Sequence, residues 1–289
     1  MPRRSTLADL SSRVCIVTGA TRGIGRATAE ELGRAGASLV LVCRRGADGE
    51  EVAAAIAGTG AGPPPVVVEA DLSSQSAVRG AADQILSRFD RIHVLVNNAG
   101  RIPRHRETTV DGLEMQLAVN HLAPFLLTNL LLDRLRGCAP SRVVTVASTT
   151  HHGAEIDFDD LQAERAYDAE DVYATTKLMN LLFTYELARR LRGSGVTANA
   201  LDPGAVATRL LADYMRIPLV GGALARTFGA SPEQGADTVV YLAAAPEVAE
   251  VSGKYFTNRR EARSSPASYD EHTARRLWDV SARLTGLAV

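Results

Sequence analysis

The chain has only three cysteines, Cys15, Cys43 and Cys138, among its 289 residues. Their odd number and wide spacing exclude a disulfide framework and a zinc-ligand pattern, and fit a reducing compartment. Small buried side chains are the expected role of all three. Aromatic residues make up 5% of the chain. The apolar content is therefore mostly Ala, Val and Leu, which suits helices packed closely on a parallel sheet. Neither sign of charge predominates. A formal net charge of −1 offers no general attraction for nucleic acid or an anionic membrane. Long apolar runs are missing too: the Leu-rich stretch 124–132 is too short to span a bilayer and is interrupted by Thr128 and Asn129. The N-terminal MPRRSTLADLSSR is too polar for a signal peptide. These absences predict a cytoplasmic protein without a membrane anchor.

What is present is a regular alternation. Short β-branched runs at 14–17, 38–43, 65–69, 93–97, 142–148, 196–201 and 253–256 predict strands. Stretches of helical periodicity lie between them, near 23–36, 49–57, 74–89, 110–136, 168–193 and 232–244. Such alternation predicts an α/β fold, a doubly wound parallel sheet of about seven strands with helices on both faces. No linker divides the chain, so a single domain over 1–289 is expected, with an N-terminal extension at 1–11 and a C-terminal tail at 257–289. The connection 205–230 contains Tyr214, Met215, Ile217, Pro218 and Leu219, followed by Gly221-Gly222. It reads either as a substrate lid or as a pair of packed helices.

The first strand runs into Thr18-Gly19-Ala20-Thr21-Arg22-Gly23-Ile24-Gly25 and a helix. Glycines there permit a tight turn and close approach to a pyrophosphate, whose charge sits well at a helix N-terminus. On the first strand of a βαβ unit, this predicts dinucleotide binding by Gly19, Thr21, Arg22, Gly23, Ile24 and Gly25. An acidic residue usually closes the second strand where NAD is bound, holding the ribose hydroxyls. Here the strand ends in Cys43, and Arg44 and Arg45 follow. With Arg22 they form a guanidinium cluster suited to a 2′-phosphate, so the expected cofactor is NADP(H).

Further motifs follow later strand ends: Asn97-Asn98-Ala99-Gly100, Ser148, Tyr173-Ala174-Thr175-Thr176-Lys177, and Pro203-Gly204. In this order, with the glycine-rich turn, they resemble the short-chain dehydrogenase/reductase family, a Rossmann-like fold, over residues 12–256. Val119-Asn120-His121-Leu122, the run from Ser148 through His151-His152 to Asn180, Gly253-Lys254-Tyr255-Phe256 and Arg276-Leu277-Trp278 resemble its retinol dehydrogenase-like branch. One departure is the basic loop Arg101-Ile102-Pro103-Arg104-His105-Arg106, read either as a solvated loop or as a contact for an anionic substrate group.

Tyr173 and Lys177 are four residues apart and share one helix face. A free phenol titrates near 10, and the ammonium is expected to lower that value toward neutrality, where acid/base catalysis is efficient. Ser148 would hold a substrate carbonyl while Tyr173 supplies the proton and the nicotinamide the hydride. The resemblance implies a proton relay through Asn120 and Lys177, adenine contact by Asp71 with Leu72, and a cleft lined by Asn97, Ala99 and Gly100. It also implies nicotinamide contacts by Pro203, Gly204, Val206 and Thr208. Asn120 reads equally as an asparagine bonded to nearby backbone, and Asp71 as a cap of the next helix. His151 and His152 are expected to be structural or substrate-lining, with no metal site. The implied activity is interconversion of a carbonyl and an alcohol on a lipophilic or secondary-metabolite-like small molecule. Epimerisation, dehydration or cyclisation on the same groups is the alternative, and a non-catalytic NADP(H)-responsive protein a further one. The resemblance also allows a homodimer or homotetramer paired through the helices holding Asn120 and Tyr173, which the Leu-rich face 125–135 would suit, though its leucines read equally as core.

Overall fold

The computed structural model describes residues 8–204 and 230–288. The apolar runs become strands β1 (Val14–Thr18), β2 (Ser38–Cys43), β3 (Val66–Glu69), β4 (Val94–Asn97), β5 (Ser141–Val146), β6 (Val196–Asp202) and β7 (Tyr255–Thr257). All seven are parallel, and a short antiparallel strand, β8 (Arg260–Ala262), closes the edge. The sheet order is β3-β2-β1-β4-β5-β6-β7-β8. Growth of the sheet therefore reverses between β1 and β4, and the crevice at such a reversal is where open α/β sheets bind ligands.

Successive strand residues face opposite sides of the sheet. In β1, Cys15 and Val17 enter one core while Ile16 enters the other; in β2, Leu39 and Leu41 oppose Val40 and Val42. The first core is covered by α1 (Gly23–Arg34), α2 (Gly46–Ala57) and α6 (Pro232–Ala244). The second is covered by α3 (Gln75–Arg88), α4 (Ala123–Arg136), α5 (Ala169–Arg190) and α7 (Glu271–Thr285). The doubly wound reading is thus correct in its parallel strands and in helices on both faces. Leu126, Leu127, Leu131 and Leu135 of α4 are core residues.

Several expectations need correction. The tail 257–289 contains β8 and α7; the latter is capped at its start by Asp270, whose carboxylate accepts from the His272 and Thr273 amides, and stopped by Gly286 at φ 64°. The stretch 110–114 is not helical: Thr108 and Glu114 bridge across a turn through Gly112 at φ 74°. The helix that follows widens into a π-turn at Leu117–Leu122 before α4. Strand β5 ends at Val146, two residues before Ser148. The connection 205–230 lies outside the described residues except for Ala230, and so do Val206 and Thr208. Among the described residues no helix is long and apolar enough to cross a membrane.

Helix α7 is held by its apolar face. Trp278 packs edge-on to Phe125 at 5.0 Å, stacks on Phe183 at 5.9 Å and carries the Arg190 guanidinium 4.2 Å from its ring centroid. Gln75 Nε2 and Arg79 donate to the Leu284 and Thr285 carbonyls, fixing the far end. Replacing Trp278 by Ala removes the central anchor, and the expected cost is about 3–5 kcal/mol of stability. Denaturant unfolding of the variant checks this; an unchanged midpoint would show that α7 adds little.

Candidate active site

One cavity of about 830 Å³ opens along the carboxyl ends of the strands. Its floor at one end is the glycine-rich turn. Gly19 and Gly23 have φ of 67° and 54°, and a Cβ at Gly25 would lie 2.2 Å from the Gly19 carbonyl. No other residue type fits that contact. The turn is tied to the one after β4 through Thr18 and Asn98. Thr18 Oγ1 accepts the amides of Asn98 and Ala99 at 2.9 and 3.1 Å and donates to the Val96 carbonyl. Asn98 Nδ2 returns a bond to the Thr18 carbonyl at 2.8 Å. Helix α1 begins without a side-chain cap and without an acidic residue in its first turn. Its free amides and positive dipole end are therefore open to an anion, and this end of the cavity fits a dinucleotide pyrophosphate.

Arg22, Arg44 and Arg45 all line the same end, but they are not equivalent. Arg45 is occupied: it forms a forked ion pair with Asp48. Arg22 and Arg44 have no ion pair among the described residues. Asp71 and Leu72 also line the wall. Asp71 is not the helix cap, because its carboxylate accepts the Ser73 amide and hydroxyl while Ser74 caps α3. Asn97 is buried and bonds to Thr128. It is Asn98 that reaches the cavity, together with Ala99 and Gly100.

At the other end the cavity gathers Ser148, Tyr173, Lys177, Pro203 and Gly204. Ser148 starts a short 3₁₀ turn, Thr149–His151, and its hydroxyl accepts the Thr150 amide at 3.3 Å. His151 is fully buried. Its Nδ1 bonds to the Ser148 carbonyl and its Nε2 accepts the Ser265 amide at 3.0 Å, so the proton is on Nδ1. It is structural, anchoring the Ser148 turn to the segment before α7, whereas His152 is exposed. Tyr173 and Lys177 stand on α5, whose start is capped by the Asp168 carboxylate. Asn120 does not line the cavity. Its side chain accepts the Arg101 amide at 2.8 Å and donates to the Arg101 carbonyl and to Thr176. The π-turn puts Asn120 between the loop after β4 and α5, where it fixes Arg101. The basic loop is largely neutralised: Arg101 pairs with Glu107, and Arg106 with Glu164 and the Gln162 carbonyl.

The electrostatics of the Tyr173–Lys177 pair run against expectation. Burial pushes the Tyr173 phenol above its ordinary value, and the charge of Asp202 adds to that. Burial pulls the Lys177 amine down from 10.5 to about 8, with Asp202 opposing. Lys177 Nζ lies 5.1 Å from the Tyr173 ring centroid and donates to the Val146 carbonyl at 3.1 Å. The ammonium thus faces the ring and a strand carbonyl, and desolvation outweighs its effect on the phenol. Sequence reasoning also missed Asp202 itself. The available signal was a carboxylate as the last residue of an otherwise apolar strand.

A parallel sheet with a phosphate-binding turn at its reversal point, and a Ser, a Tyr and a Lys in the same cavity, defines the class of dinucleotide-dependent oxidoreductases. The family model described as short chain dehydrogenase matches residues 13–216, and the chain belongs to that family. Retinol dehydrogenase 14 of Mus musculus is 44% identical over 96% of this chain and 87% of that protein. Retinol dehydrogenase 13 of Homo sapiens is 43% identical over 97% and 86%. Among solved structures, an uncharacterized protein from Mycobacterium paratuberculosis superposes with a TM-score of 0.79 at 33% identity, covering 97% of this chain and 96% of that one. A Burkholderia cenocepacia short chain dehydrogenase in complex with NADP superposes at 0.69 and 25% identity, covering 86% and 97%.

The Lys177 shift has a consequence for stability. Between about 8 and 10.5 the unfolded chain holds a proton on Lys177 that the folded chain does not. Stability from this group therefore rises with pH across that window, and the penalty is fully present below it. Lys177→Met is expected to raise the thermal midpoint relative to wild type at about pH 7, with the gain shrinking toward about pH 10. Thermal unfolding at both values checks this, and a variant less stable than wild type at the lower pH contradicts it.

Proposed function

We propose that the protein is an NADP(H)-dependent reductase and dehydrogenase, interconverting a carbonyl and an alcohol on a lipophilic small molecule. The observation that carries this reading is the convergence of Ser148, Tyr173 and Lys177 on the cavity that also holds the uncapped start of α1. Bound there, the nicotinamide supplies or accepts the hydride. Ser148 holds the substrate oxygen by a hydrogen bond, and Tyr173 gives or takes the proton at that oxygen. Lys177 lies under Tyr173 and keeps positive charge near it. With its phenol held above the ordinary value, Tyr173 stays protonated through neutral pH, the form that protonates a nascent alkoxide.

Preference for the 2′-phosphate is supported by Arg22 and Arg44, which form no ion pair among the described residues, and by the pairing of Asp48 with Arg45. A neutral, lipophilic substrate is supported by the ion pairs of Arg101 and Arg106 and by Ile102 and Val119 in the cavity wall. The similar proteins named retinol dehydrogenases make retinal and retinol the first pair to assay.

Nicotinamide fluorescence titration tests the cofactor. Arg44→Ala is expected to weaken NADPH binding about 10- to 100-fold, the loss of charge-assisted bonds, with NADH little changed. Arg45→Ala should do less. Equal binding of both cofactors by the wild type refutes the arginine argument. For the chemistry, Tyr173→Phe should lower kcat for carbonyl reduction by about 10²–10⁴ while leaving NADPH binding intact. In the wild type, reduction should stay level through neutral pH and fall only on the alkaline side, with alcohol oxidation rising there. Undiminished turnover by Tyr173→Phe would remove Tyr173 from the mechanism.

A further inference from the structure

Asp202, the last residue of β6, belongs to none of the motifs that define the site, yet its carboxylate stands between two of the turns that build it. The residue is only 7% exposed. Its Oδ1 accepts the amide of Thr149, the residue after Ser148, at 3.0 Å. Its Oδ2 accepts the amide of Gly204 at 2.9 Å. Gly204 has φ of 82°, so the chain turns sharply where the carboxylate grips it. Two amides satisfy the two oxygens in one direction each, a geometry only a carboxylate can serve. An amide side chain would turn an N–H donor toward one of them.

The surroundings make the charge matter. Tyr173 and Lys177 face Asp202 from α5, His151 from the turn after β5, with His152 against its ring, and Tyr255 from β7. Of these, Lys177 is the basic group, and its Nζ donates to the carbonyl of Val146, the register partner of Leu201 next to Asp202. Among the described residues the Tyr255 hydroxyl is buried without a hydrogen-bond partner. Burying a carboxylate is costly unless donors meet it; the Thr149 and Gly204 amides do so, and the Lys177 amine lines the same cavity.

We propose that Asp202 is a positioning residue of the active site, fastening the Ser148 turn to the Pro203–Gly204 turn and supplying the counter-charge to Lys177. Its kinetic consequence rests on the dehydrogenase reading above; its placement between the two turns is a property of the folded chain. If Ser148 holds the substrate oxygen and Gly204 lies beside the nicotinamide, the carboxylate fixes the two reacting groups relative to each other, and small misplacements there cost rate steeply. Both Tyr173 and Lys177 are held higher by this charge, so removing it lowers both.

The chain has two lysines, Lys177 and Lys254, and lysine labelled with ¹³C at the ε carbon therefore gives two resonances, assigned with Lys254→Arg. In the wild type the Lys177 signal should titrate near 8. In Asp202→Asn it should titrate lower by roughly half a unit or more, with Lys254 unmoved. The alkaline fall of carbonyl reduction should move down in parallel. Asp202→Glu, which keeps the charge, should keep the Lys177 midpoint nearer the wild type. Should Asp202→Asn not fold, Asp202→Ser reads the same midpoint. An unmoved Lys177 midpoint in the uncharged variants overturns the proposal, whatever happens to turnover. A shifted midpoint in a protein that reduces no carbonyl upholds the placement of Asp202 and counts against the dehydrogenase reading instead.

Discussion

Parallel pairing brings the carboxyl ends of β1 through β6 to one edge of the sheet, and everything functional in this protein depends on that constraint. Each parallel strand must return through a crossover, so its outgoing turn is emitted on the same side as its neighbours' turns. The glycine-rich turn, the Asn98-Ala99-Gly100 turn, the Ser148 turn and the Pro203–Gly204 turn leave four strands that are contiguous in the sheet, β1, β4, β5 and β6. Sequence distances of many tens of residues collapse to the width of a few strands. The apolar alternation in each strand then anchors that edge from both faces.

Parallel pairing alone would leave these turns loose, and buried polar side chains fasten them pairwise. Thr18 joins the turn after β1 to the turn after β4. Asn120 joins the continuation of the β4 turn to α5. His151 holds the Ser148 turn to the segment preceding α7, and Asp202 joins that turn to the one after β6. Each fastening side chain is almost wholly buried, where an unpaired polar group is costly. The bonds are therefore strongly specified, and the cavity has a defined shape on its polar side. The segment before α7 takes part through His151: Ser265, far along the chain, steadies the Ser148 turn.

The strand positions and the two-faced packing were legible in the sequence because they follow from local periodicity and from glycine and polar residues at strand ends. What was not legible follows from pairwise geometry. Nothing in Arg44-Arg45 says that only Arg45 finds Asp48 three residues on, or that Arg101 and Arg106 are met by Glu107 and Glu164. Helix α7 went unread because most of its residues are polar or charged and its apolar stripe is short. That stripe becomes meaningful only against Phe125 and Phe183. Asn97 and Asn98 are adjacent and chemically identical; the strand's two-residue period alone sends one into the core beside Thr128 and the other to the cavity.

The Tyr173–Lys177 pair carries the sharpest conflict between fold and function. Spacing on a helix puts an ammonium near a phenol, and from spacing alone the ammonium ought to acidify it. Packing α5 against β5 and β6 buries Lys177 and half-buries Tyr173, and desolvation penalises the charged form of each: the ammonium and the phenolate. Asp202 offsets that penalty for the lysine and deepens it for the tyrosine. The result is a phenol that holds its proton and an amine poised near 8, an arrangement suited to giving a proton to a developing alkoxide. A chain selected for stability alone would place an apolar residue at 177. A buried lysine stands there instead, beside the cavity that the buried carboxylate of Asp202, at the end of β6, also lines.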